Sequence, residues 1–71
     1  MNPYEELANA IVLKAVKDYR EALGILRYNP NDKDASISKE EIEQFFRSGW
    51  FGLLTKLDPE MLISRLHKEV A

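Results

Sequence analysis

The sequence predicts an all-α protein: a small bundle of three main helices plus a short aromatic-rich helical segment. Three observations carry this prediction. Apolar residues recur at helical spacing from residue 4 to about 27. Ser38 and Glu41 stand three apart ahead of an apolar run, the pattern of a capped helix start. "DPE" at 58–60 places a capping aspartate before a proline suited to a first helical turn.

The first helix has the strongest signal. Tyr4, Leu7, Ala8, Ile11, Ala15, Ala22 and Leu26 fall at spacings of three, four or seven, and Val12, Val16, Tyr19 and Leu23 make an adjacent stripe. Asn2 is placed as the cap with Pro3 at the first helical position. Glu5 and Glu6 suit the positive end of the helix dipole, and Arg27 the negative end. Gly24 is a local weakness of about 1 kcal/mol relative to alanine, marking either fraying or close packing. Asn29-Pro30-Asn31-Asp32 is a stop, because Pro30 lacks an N–H and forces its predecessor out of helical dihedrals.

The second helix is expected to start at the Ser38/Glu41 capping box, with Ile37 and Ile42 forming the hydrophobic staple. It is expected to run to Phe46 or Ser48, where Gly49 supplies a left-handed stop. The residues between the two helices resemble a calcium loop on first reading. With Ile37 at the eighth loop position, Asp32, Asp34, Ser36, Ser38 and Glu41 fall at ligand positions. Two positions fail. Pro30 occupies the first ligand place and has no side-chain oxygen, and Ala35 stands where a glycine turn is needed. The expectation is a capped connector rather than a metal site.

"GWFGLLTKL", residues 49–57, has adjacent rather than periodic apolar residues and reads as one or two short helical turns, with a continuation of the second helix as the alternative. The last helix opens at Asp58-Pro59-Glu60. Leu62, Ile63, Leu66 and Val70 form its buried side, with Arg65 and Lys68 near its negative end.

The 71 residues amount to a single domain, 1–71. Domains of this size bury only roughly 60% of the surface their unfolded chains expose. Their cores rarely give more than ~3–5 kcal/mol without disulfides, metals or self-association. Cysteine is absent, which excludes disulfides, thiol chemistry and cysteine-based zinc sites. The net charge of −2 and pI near 5.3 argue against a general electrostatic nucleic-acid binder. The acidity is concentrated: residues 29–44 carry five acids against two lysines. "MNPYEELANAIVLKAV" has early glutamates where a secretory leader needs positive charge, and no apolar run approaches a membrane span of about 20 residues. A soluble cytoplasmic protein is the expectation.

Phe45, Phe46, Trp50, Phe51, Leu53, Leu54 and Leu57 are dense for so short a stretch. Some must plug the core, and the remainder would form a partner surface. Phe46, Trp50, Phe51 and Leu54 are the candidate contact residues, although Phe45 and Trp50 also suit the core. The two apolar stripes of the first helix offer a second surface, and together these imply a homodimer or another protein partner. "NPYEELANAIVLKAVKDYREAL" and "FFRSGWFGLLTKLDPEMLISRL" resemble small helical proteins encoded in prophages and other mobile elements of Gram-positive bacteria. The resemblance covers nearly the whole chain. It implies a genetic setting and assigns no residue a chemical role.

Catalysis is not expected. His67 is the single histidine, it lies where a cation suits the helix dipole, and no carboxylate or hydroxyl pattern in the sequence pairs with it as a base would need. Gly24, Gly49 and Gly52 match no phosphate-loop spacing, and no cofactor, metal or small-molecule ligand is indicated. The main alternative function is a small helix-turn-helix regulator whose last helix presents Ser64, Arg65, His67 and Lys68 to DNA. Asp58 and Glu60 in that helix's first turn oppose it. Lys14, Lys17 and Arg20 alternate with Asp18 and Glu21 as on a solvated face. The reading that results is a non-enzymatic, self-associating interaction module.

Overall fold

A computed structural model describes residues 2–70, and among these the secondary structure is entirely helical. The helices are α1 (Pro3–Tyr28), α2 (Lys33–Phe46), α3 (Gly49–Leu54) and α4 (Pro59–Val70).

α1 starts as its sequence requires. Asn2 Oδ1 accepts the Tyr4 N–H at 2.9 Å, which satisfies an otherwise unpaired first-turn donor, and Pro3 stands at the first position. At the other end the Asn29 N–H reaches the Ile25 carbonyl at 2.8 Å before Pro30 turns the chain. Gly24 marks neither fraying nor a close approach: the helix runs through it to Tyr28, and a Cβ built there meets nothing within 4 Å.

The start of α2 differs from expectation. Its cap is Asp32, whose Oδ1 accepts the Ala35 N–H at 2.9 Å, with Asp34 in the first turn. Ser38 is therefore a mid-helix residue, and the Ser38/Glu41 capping box does not form. Ile37 is 54% exposed, so it makes no inward staple with Ile42. The longer helix wins because it buries Ala35 on the same side as Ile42 and Phe46, at spacings of seven and four. The same extension removes the twelve-residue loop on which a calcium site depends, since residues 33–41 are helical.

The α2–α3 junction is made by one side chain. Ser48 Oγ donates to the Phe45 carbonyl at 2.6 Å, closing α2, and accepts the Phe51 N–H at 3.3 Å, opening α3. Gly49 is the first residue of α3 rather than a left-handed stop, and no glycine has a positive φ. Asp58 caps α4 as predicted, its Oδ1 accepting the N–H groups of Glu60 and Met61 at 2.9 and 3.2 Å.

Two ion pairs fix the direction of α4. Arg47 at the end of α2 binds Glu60 at the start of α4 through Nε and Nη2, at 2.7 and 2.9 Å. Arg20 on α1 binds Glu69 near the end of α4 in the same two-pronged way, at 2.7 and 3.0 Å. α4 therefore runs antiparallel to α2 and alongside α1. α3 and the first turn of α4 fall beside the N-terminal half of α1, and the α1–α2 turn lies at the opposite end. The long axis of 41 Å matches α1, whose 26 residues rise about 39 Å.

Val12, Val16, Tyr19 and Leu23 of α1 meet Phe46, Phe51, Ile63 and Leu66 in one buried cluster. The ring of Phe46 sits edge-on to Tyr19 and to Phe51, with centroids 5.5 and 5.4 Å apart. Each such ring contributes roughly 1.5–3 kcal/mol by burial. The core is thus centred on three linked rings, one each from α1, α2 and α3, packed with the aliphatic side chains of α1 and α4. Among the described residues, no helix is long and apolar enough to cross a membrane.

Candidate functional site

The four candidate contact residues divide. Phe46 and Phe51 are 0% and 1% exposed, which removes them from any surface and corrects their assignment. Leu54 is half-buried and packs on the same core, as does Phe45. Trp50 is 57% exposed and remains a surface residue. The physical reason is helix phase. Once α3 is a separate helix capped by Ser48, Phe51 and Leu54, three apart, point inward, and Trp50 and Leu53, also three apart, fall on an adjacent exposed face. The adjacency of these residues in sequence hid that phase.

The outward face continues across the joint. Leu53, Leu57 and Met61 are 80%, 53% and 71% exposed, and on neighbouring α1 so are Tyr4 at 81% and Leu7 at 61%. Tyr4 and Leu7 begin the first predicted stripe of α1, with Ile11 next in line and only half-buried. In this half of α1 burial begins only at Val12. Exposed apolar side chains also occur at Leu13 and, near the α1–α2 turn, at Ile25, Tyr28 and Ile37, but those on α3 and the α3–α4 joint stand closest together in the chain.

A polar centre missed in the sequence lies in mid-molecule. Tyr19 is fully buried, and its hydroxyl donates to Glu43 Oε2 on α2 and lies 2.9 Å from His67 Nε2 on α4. The phenol has one proton and the carboxylate accepts it, so the Nε2 of His67 must carry the hydrogen aimed at Tyr19 Oη. Lys39 Nζ at 3.1 Å and Arg47 Nη1 at 3.6 Å also face Glu43. Burial works to raise the Glu43 pKa, but the hydrogen bonds from Tyr19 and Lys39, with the charges of Lys39 and Arg47, hold it below the usual glutamate range. Burial, and then the hydrogen bond and charge of Glu43, push the Tyr19 phenol well above its ordinary value.

This centre braces three helices. Residues 19, 43 and 67 come from three separate helices, so no local spacing announces them. The only sequence signal was a tyrosine on an otherwise aliphatic stripe, a residue that when buried needs a partner for its hydroxyl.

Among the described residues, no group of three or more histidines, cysteines or acids is placed to hold a metal ion. No family model, curated protein or solved structure matches the chain.

Proposed function

We propose that this chain is a small, non-enzymatic protein-interaction module that pairs with a second copy of itself through the α3 end. The observation that carries this is the exposed pair Trp50 and Leu53 on α3, followed in the chain by exposed Leu57 and Met61, with Tyr4 and Leu7 also exposed on α1. Large exposed apolar patches mark interaction sites, and tryptophan is among the residues enriched at binding hot spots. A second copy is the occupant because a chain this short gains most from sharing its core. A two-fold pairing would also set the same patch against itself and cover both faces at once. The resemblance of the two long sequence stretches to mobile-element proteins suggests a prophage or related genetic setting.

A DNA-reading role draws less support. Glu60 in the first turn of α4 already holds Arg47, and Glu69 holds Arg20, so α4 presents a mixed rather than a basic face.

Light scattering coupled to size-exclusion chromatography tests the proposal. The wild-type chain should elute as a dimer at micromolar concentration, and Trp50→Glu/Leu53→Glu as a monomer with an unchanged helical circular-dichroism spectrum. A wild-type protein that stays monomeric across the concentration range would overturn it.

A further inference from the structure

A second surface lies on the other half of the molecule. Between α1 and α2 runs an open groove of about 490 Å³. Its floor is apolar and shallow: Ala22 and Ala35 are buried at the bottom, and Ile25 and Ile42 continue the strip lengthwise. Its walls are acidic. Asp18 and Glu21 stand on α1, and Asp34 and Glu41 on α2.

These carboxylates are mostly unpaired, as Glu5, Glu6 and Glu40 are elsewhere on the surface. Glu43, Glu60 and Glu69 are each tied to an arginine or lysine. Glu21, Asp34 and Glu41 form no ion pair with any described residue, and Asp18 has only the exposed Lys14 one turn away. Asp32 at the groove's end is accounted for by its capping bond.

We propose that this groove is a docking site for a cationic amphipathic helix of a partner protein. Two antiparallel helices with alanines at their shared floor let a third backbone approach closely, so the apolar face of an incoming helix would complete a bundle layer on the side of α1–α2 away from α4. The two acidic walls would then flank that helix and pair with lysines or arginines on its shoulders, setting both affinity and encounter rate. The α2 wall spans residues 32–42, about 16 Å of helix, which fits a segment of three to four turns. Charge complementarity selects the occupant: an acidic or neutral helix would bury the walls' carboxylates without partners. This site is independent of the self-association face and stands or falls separately from it.

The test uses a fluorescein-labelled helical peptide of about four turns with leucine on one face and lysine on the other. Its controls are a glutamate-for-lysine version and a scrambled sequence of the same composition. Saturable micromolar binding of the leucine/lysine helix is expected, with at least about tenfold loss in Glu21→Gln/Glu41→Gln. Those substitutions fall on exposed side chains, so the fold is retained. Amide NMR shifts on binding should centre on Ala22, Ile25 and Ala35. Equal affinity for the scrambled peptide, no loss in the double variant, absence of saturable binding, or shifts centred on Trp50 and Leu53 would each overturn the proposal. The oligomeric state read by light scattering reports separately on the α3 end.

Discussion

The hydroxyl of buried Tyr19 on α1 donates a hydrogen bond to the Glu43 carboxylate on α2. The bond ties two helices at mid-height. His67 extends it to the third, so the polar brace crosses the apolar core where Phe46 packs on the same tyrosine ring.

Tyr19→Phe keeps the ring packing and deletes the bond, leaving Glu43 to Lys39 and Arg47. Removing one partner of a hydrogen bond to a charged group costs about 1–3 kcal/mol. Urea unfolding should show that loss as a lower midpoint at unchanged slope. Glu43→Gln should lose a similar amount, and the double variant less than the sum, because both single changes break the same bond.

The two shifted pKa values give opposite pH limits. The Glu43 pKa is depressed on folding, so its contribution is full above the ordinary glutamate value and fades as pH falls through the lower folded value. The Tyr19 pKa is raised, so its contribution is full below the ordinary phenol value of about 10 and fades as pH climbs beyond it. Thermal melts from acid to alkali should show both declines. Tyr19→Phe should flatten the alkaline one, where one proton is worth up to about 1.4 kcal/mol per pH unit.

Helix capping separates Asp32 from Ser38. Asp32→Ala removes the cap of α2 and should cost about 1 kcal/mol. Ser38→Ala alters only an exposed mid-helix position and should be neutral or stabilising by a few tenths of a kcal/mol. The reverse ranking in chemical denaturation would place the helix start at Ser38 after all.

Gly24→Ala should raise stability by about 1 kcal/mol. The helix is unbroken through that position and the space beside it is open. A rise of several degrees in melting temperature is the expected readout.

The aromatic segment divides sharply by mutation. Phe46→Ala or Phe51→Ala should cost about 3–5 kcal/mol and largely unfold so small a chain. Trp50→Ala should leave the isolated fold nearly unchanged, because more than half of that side chain is in solvent. If the proposed self-pairing holds, its effect falls on association and is read as a weaker dimer in sedimentation equilibrium.

Local chemistry settled much of this molecule from its residue order alone. The helical class, the span and both ends of α1, the Asp58-Pro59 start of α4 and its inner face were legible because caps, proline stops and 3.6-residue periodicity act over a few neighbouring positions. The start of α2 was read at the Ser38/Glu41 box, a good local signature, but packing favours the longer helix capped by Asp32, which buries Ala35. The facing of Phe46, Phe51 and Trp50 depended on helix phase after the Ser48 joint, which adjacent apolar residues do not reveal. The union of Tyr19, Glu43 and His67 was decided wholly by tertiary structure. Residues 24 and 48 positions apart meet only once three helices have set their directions, and no short-range rule couples them.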